Sequence, residues 1–288
     1  MTGEPSSRLS IQLSQSSSSA GGHVSFDSFM TDHPGWQSIH GRQVRFLADG
    51  TRASWLIEAH GQQLTWTALS GNGSIPAAEV FELQRREEST ALGAALAQLG
   101  RVARLRNLSL WDALATAIIR QVIRAAQARK LYREFCDRFG PAVALSDETD
   151  IHSFPSPEHV LTLSDDEFTD SGMAFKRRPL RHAAEAFLAQ GHYWAGLSPS
   201  VLVKELQTVP GIGPWSAGAA VADWSNDWTL YPYGDLAVRT WARQADPSAG
   251  WPGDEPTFAA HWRRVTGAQL GTYTLLTLAF GCRQVGAV

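Results

Sequence analysis

The stretch LQTVPGIGPWSAG (206–218), followed by YPYGDLAVRTW (231–241), decides how the rest of the chain is read. Ser198-Pro199 is a helix start, a capping hydroxyl before a proline at the first helical position. From there Leu202, Leu206 and Val209 recur at helical spacing. Pro210-Gly211 ends the helix, and Gly213 lets the backbone turn tightly. A second helix begins near Pro214, and its small residues allow another backbone to pack close. Such a turn leaves the N–H groups of a helix start pointing outward under little side chain, which suits an anion such as a phosphate. Asp235 follows Trp215 by twenty residues, at the head of the apolar run Leu236-Ala237-Val238.

Outward from this stretch the text is helical as far back as Leu108. Trp111–Phe139 reads as one long amphipathic pattern stopped by Gly140-Pro141. Pro157 opens a further helix, Ser164 caps another, and Pro179 to Ala189 forms a fourth that ends at Gly191. Downstream, a helix over Leu236–Ala245 precedes a linker at Asp246–Pro256, then helices over Thr257–Val265 and Gly271–Phe280. Toward the N-terminus the period changes from helical to two. Gln43–Ala48, Arg52–Glu58 and Gln62–Leu69 alternate apolar and polar residues around the turn signals Asp49-Gly50 and His60-Gly61. Phe81 to Leu99 turns helical again. Residues 1–22 hold eight serines in the first twenty positions and read as a disordered tail. The expectation is an α+β protein: a β-rich N-terminal domain over 23–104, and a helical core over 105–288 with a cleft between its helical parts.

The net charge of −3 gives no sign of a nucleic-acid partner. The distribution does. Residues 101–140 hold nine Lys/Arg against three Asp/Glu, 141–170 hold eight acids with no Lys or Arg, and Lys176, Arg177, Arg178 and Arg181 restore a basic cluster. A cationic strip of this kind attracts a phosphate backbone in a near-neutral protein, and makes Arg120, Arg124, Lys176 and Arg177 candidate backbone contacts. Only three lysines occur, so few amines serve Schiff-base chemistry. Cys136 and Cys282 make no metal or cluster pattern, and the histidines make no H-x-x-x-H pair, so no catalytic metal is expected. No signal-peptide pattern and no membrane-length apolar run is present, so no membrane contact and a cytoplasmic location are expected.

The hairpin VPGIGPWSA (209–217) and the loop YGDLAVR (233–239) resemble the helix-hairpin-helix glycosylase superfamily (HhH-GPD). AIIRQVIRAAQA (117–128) is similar to that family's early helix around a glutamine, with Arg120 where a glycine is usual. FPSPE (154–158) and GMAFKRRPL (172–180) are similar to the short helices leading into the hairpin. The likeness covers about residues 105–283 and is nearest to bacterial alkylbase DNA glycosylases of the 3-methyladenine type II branch, which also carry a β-rich N-terminal domain. The resemblance implies Asp235 as catalytic acid, and a phosphate-gripping turn at Val209, Gly211, Ile212 and Gly213 whose carbonyls hold a monovalent cation. It implies a base pocket drawing on Trp215, Gln121, Tyr233 and Leu236, and Val122 as a wedge in the gap left by the flipped base. Ala219 and Ala279 stand at other lining positions, with Trp224 and Trp228 able to supply aromatic surface. Bifunctional relatives place a lysine where Trp215 stands, which implies hydrolysis without strand cleavage. No four-cysteine pattern follows Asp235, which excludes an iron–sulfur cluster. The implied partner is double-stranded DNA with damaged bases, bound by a monomer near the bacterial nucleoid.

The chemistry asks for these residue types. Breaking an N-glycosidic bond builds positive charge on the sugar, and a carboxylate beneath it stabilises that charge and orients water. Asp is equally a favoured helix N-cap residue. Trp215 offers an aromatic face to an electron-poor, alkylated base, which must leave the stack to be reached. The readings that compete are a DNA-binding protein that keeps the hairpin without catalysis, a glycosylase for a different or bulkier lesion, and a small-molecule glycosidase.

Overall fold

The computed structural model describes residues 26–50, 53–73, 76, 78–83, 90–146 and 149–286; the serine-rich 1–22 segment lies outside them. Two small sheets come first. Strands β2 (Gln37–Ile39), β3 (Arg42–Asp49), β4 (Ala53–His60) and β5 (Gln63–Gly71) form an antiparallel meander in that order. The period-two pattern is real: Ala53, Trp55, Ile57 and Ala59 of β4 are all buried, and pack with Trp36, Leu47 and Leu105. A second sheet has the order β1-β7-β6, with β1 (Ser28–Phe29) parallel to β7 (Val102–Leu105) and β6 (Ala78–Phe81) antiparallel to it. The run expected to be helical from Phe81 is therefore strand at its start. Among the described residues its helix, α1, spans Ala91–Ala97 and is capped by the Thr90 hydroxyl.

Helices α2 (Leu110–Arg120) and α3 (Ala125–Phe139) replace the single helix expected over Trp111–Phe139. The break falls at Val122, whose φ of 61° reverses the chain. Periodicity hid it, because no Gly or Pro marks the spot and the apolar pattern resumes in phase. Then come α4 (Pro157–Thr162) and α5 (Asp165–Asp170), the latter held by a Ser164/Glu167 capping box. Helix α6 (Arg177–Ala195) starts earlier than expected and runs through Gly191, because Trp194 beyond it is fully buried. A hairpin of β8 (Ala142–Ser146) and β9 (Thr149–His152) was not expected in the acidic stretch.

Helices α7 (Pro199–Leu206), α8 (Pro214–Ser225), α9 (Leu236–Ala245), α10 (Glu255–Thr266) and α11 (Leu270–Gly286) complete the chain. Helix α2 packs on α3, α6 and α8, while α9 packs on α1 and α11. The loop between α8 and α9 thus joins two groups of helices. One apolar core, including Leu114, Ile118, Leu180, Leu206 and Leu276, serves both groups and also takes Met30, Leu92 and Val102 from the N-terminal segment.

A polar network is buried where β7 meets α2 and α8. Arg104 donates Nε to Asp32 Oδ1 (3.1 Å), Nη2 to Asp32 Oδ2 (3.0 Å) and Nη1 to Asn226 (2.6 Å), and pairs with Asp223. Asn107 bridges Asp112 (3.0 Å) and Asp223 (3.1 Å). The Gly35 N–H donates to His33 Nδ1 (3.0 Å), so the other ring nitrogen carries the hydrogen toward Thr116 (3.1 Å) and Asp112 (3.3 Å). Burial, with Arg45 close by, holds His33 well below its ordinary pKa of 6.5, and the ring is neutral. The unfolded chain binds a proton near 6.5 that the folded chain refuses, so stability falls as pH drops below 6.5. Burial raises the pKa of Asp112 and offsets part of that loss. Thermal melts between pH 7 and 5 are expected to show a decline that His33→Asn lacks.

Candidate active site

The hairpin is anchored from below and open above. Val209 and Ile212 are 5% and 4% exposed and insert into the core. Gly211 has a φ of 90°, and a Cβ there would meet Pro179 at 2.9 Å, so glycine is required twice over. Gly213 is the N-cap of α8, with no side-chain cap, and a Cβ at Gly213 would have nothing within 4 Å. The start of α8 therefore presents backbone to the outside, as an anion site needs. Gln121 braces the turn: its Nε2 donates to Gly211 O (3.0 Å) and to Ser216 Oγ (2.6 Å). Its amide nitrogen is thereby committed to the hairpin.

Asp235 precedes α9 at the N-cap position, yet its side chain makes no cap hydrogen bond. The carboxylate instead accepts from Tyr231 Oη at 3.1 Å. Its backbone fixes the loop, with N–H to Pro232 O at 2.7 Å and C=O from Arg239 N–H at 3.0 Å. Tyr231 is buried and tilted on Trp228. Burial first, then the nearby Asp235 charge, pushes the phenol pKa up, so Tyr231 stays a donor. The loop is pressed onto α8 at Gly218, where a Cβ would lie 2.6 Å from the Leu230 carbonyl. Small residues in α8 thus hold Asp235 close to the hairpin helix. Tyr231 escaped the sequence reading, although its place four residues before Asp235 was the available signal.

The remaining expected residues are divided. Trp215, on the first turn of α8, is half-buried against the core. Tyr233 accepts a hydrogen bond from Arg263, whose guanidinium lies 5.5 Å from its ring centroid. Leu236 is 64% exposed beside Asp235. Trp228 is a core residue under Arg104 (4.7 Å), so it supplies no pocket wall. Arg124 is exposed. Lys176 departs from the expected backbone contact: it is 2% exposed, and its ammonium donates to the Gln121 carbonyl at the end of α2 (2.6 Å). Desolvation brings its pKa down to about 8. Arg177 is paired with Asp165 at 2.6 Å. Phe175, exposed and 5.0 Å from the Lys176 ammonium that donates to the Gln121 carbonyl, was not singled out from sequence.

Val122 is the strained point. It is fully exposed, at 102%, with a φ of 61° that a β-branched residue rarely adopts. No burial of the side chain offsets that cost. Val122→Asn is expected to raise stability by about 1 kcal/mol, since Asn tolerates the left-handed region and no burial is lost; chemical denaturation checks it.

Hairpin, Asp235 loop and the Val122 turn thus lie on adjacent elements of a fold that solved DNA glycosylases share. The structure is similar to 3-methyladenine DNA glycosylase from Archaeoglobus fulgidus (TM-score 0.64, 16% identity, over 88% of this chain and 91% of that one). It is equally similar to Clostridium acetobutylicum 8-oxoguanine glycosylase/lyase in complex with double-stranded DNA (TM-score 0.64, 13% identity, 89% and 90%). DNA-3-methyladenine glycosidase from Bacillus halodurans also matches (TM-score 0.50, 17% identity, 72% and 94%). No protein-family model and no curated protein matches the sequence. Among the described residues no helix is long and apolar enough to cross a membrane.

Proposed function

We propose that this protein is a monofunctional DNA glycosylase that hydrolyses the N-glycosidic bond of damaged purines, alkylated ones first, in base excision repair. The observation that carries the reading is the Asp235 carboxylate, uncommitted to capping α9 and aimed by Tyr231, on a loop packed against the hairpin helix that bears Trp215. The fold's neighbours support it, since their names are those of 8-oxoguanine and 3-methyladenine glycosylases, one of them bound to duplex DNA.

The start of α8 at Gly213 grips a phosphate of the duplex through backbone N–H groups. Val122 enters the stack from the end of α2 and fills the space of the extruded nucleotide. Trp215 stacks on the base. Asp235 then faces the sugar. As the C1′–N bond breaks, its electron pair leaves with the base, and a base made cationic by alkylation departs neutral. Positive charge gathers on C1′ and the ring oxygen, opposite the carboxylate. Water bonds to C1′, and its proton passes to Asp235 and on to solvent. Two hairpin carbonyls are already engaged: Val209 O accepts from Ile212 N–H (3.0 Å) and Gly211 O from Gln121 (3.0 Å). They fit a monovalent cation only through their second lone pairs, and no step is routed through one.

Trp215 stands where a nucleophilic amine would have to be, and the nearby Lys176 is turned onto a backbone carbonyl. Incubation with methylated duplex DNA is therefore expected to produce strand breaks only after alkali, with no protein–DNA adduct trapped by borohydride. Direct nicking, or a trapped adduct, would contradict hydrolysis.

A further inference from the structure

Arg120 ends α2 in a recess between α2 and α8, among Asp32, Thr116, Ala117, Ala219 and Asp223. Ala219 lies one helical turn beyond Trp215, so the two share a face of α8. The recess therefore lies on the face of α8 that also carries Trp215. Arg120 also feels the charge of Asp235 and the Tyr231 hydroxyl; burial opposes its own charge, but these groups with Asp32 and Asp223 hold it firmly protonated.

Two guanidiniums meet here with different commitments. Arg104 has spent its donors on Asp32, Asp223, Asn226 and the Leu105 carbonyl. The guanidinium of Arg120 makes no hydrogen bond with any of the described residues, and the Asp32 and Asp223 oxygens beside it already accept from Arg104 and Asn107. The recess that Arg120 lines has about 10 Å³, room for roughly one water and not for a base. A base laid on the Trp215 face of α8 is too large to enter it and meets instead the half-exposed Arg120, whose donors are unspent.

We propose that Arg120 reads a keto oxygen on the extruded base and so directs the site to guanine-type lesions over adenine-type ones, an assignment that rests on the glycosylase reading above. A guanidinium only donates. Guanine offers O6 as an acceptor on the edge where adenine carries an amino donor. Alkylation at N7 leaves O6 free. Asp32, Asp223 and Asp235 outnumber Arg104 and Arg120, so a cationic ring is not repelled. A donor on O6 also stabilises the electron density that the base gains as the bond breaks.

Duplex DNA treated with dimethyl sulfate carries 7-methylguanine and 3-methyladenine in one substrate. Free bases released by wild type, Arg120→Gln and Arg120→Lys are quantified by mass spectrometry, with thermal melts to verify folding. Wild type is expected to release 7-methylguanine. Arg120→Gln should lower the ratio of released 7-methylguanine to 3-methyladenine about tenfold or more, with Arg120→Lys, which keeps the charge and its packing, in between. An unchanged ratio in both variants, including an equal loss of both bases as a phosphate contact would give, overturns the assignment, as does wild type releasing 3-methyladenine alone. Release of neither base overturns the glycosylase reading and the assignment with it.

Discussion

Replacing Asp235 by Asn is expected to lower base release by about 10²–10³-fold or more while leaving affinity for undamaged duplex unchanged. The carboxylate touches no backbone N–H of α9, so its loss should not unravel the helix; its side-chain partner is Tyr231 Oη, which an amide oxygen can still accept from. The negative charge is what Asn removes. A duplex containing a cationic azasugar in place of the target nucleotide mimics the charged sugar of the transition state. Wild type should bind it much more tightly than the neutral tetrahydrofuran analogue, and Asp235→Asn should lose that preference. Equal preference in the two proteins would remove Asp235 from beneath the sugar. Tyr231→Phe should keep the preference but lower the rate, because it aims the carboxylate without supplying charge.

The second large effect concerns stability. Arg104 is 1% exposed and pairs with both Asp32 and Asp223. Arg104→Leu leaves two buried carboxylates without their cation, and removing one partner of such a set costs about 3–5 kcal/mol. For a chain of this size that lowers Tm by roughly 10 °C. The loss should shrink when Asp32→Asn and Asp223→Asn are added, since the unpaired charge and not the missing contact is responsible. A single Arg104→Leu variant that melts with wild type would show the network to be dispensable. Because Asp32 and Asp223 also line the recess beside Arg120, the same variant should disturb that recess.

Much of this was legible in the residues, unevenly. Elements with local punctuation came out close to their observed bounds: Ser198-Pro199 for α7, Pro214 for α8, Asp235 before Leu236–Ala245, and the alternating strands of the N-terminal meander. The break between α2 and α3 did not, because a left-handed valine carries no local signal and is imposed by what surrounds it. Lys176 caps the Gln121 carbonyl, and Gln121 is tied to the hairpin ninety residues later in sequence. Strand β7 was equally silent: four residues buried on all sides, among them Arg104, whose charge argued against burial until Asp32 and Asp223 were seen beside it. Around the site, the positions of Asp235 at the head of α9 and of the turn before α8 were legible because their signals are local. The commitments of Gln121, Lys176 and Arg177 were not, since each depends on a partner distant in sequence. The basic cluster at 176–181 illustrates the difference: read as a strip facing DNA, it has one member buried and two, Arg177 and Arg181, paired with Asp165.

The most direct test is to incubate the full chain with methylated duplex DNA, then assay the supernatant by mass spectrometry for free bases and the DNA for abasic sites. Free alkylpurine rising in step with abasic sites, on strands that stay intact until alkali is added, is the expected result. Tight binding to the duplex with no base released, under conditions where a control glycosylase acts, would contradict it and leave a hairpin that grips DNA without cutting a glycosidic bond.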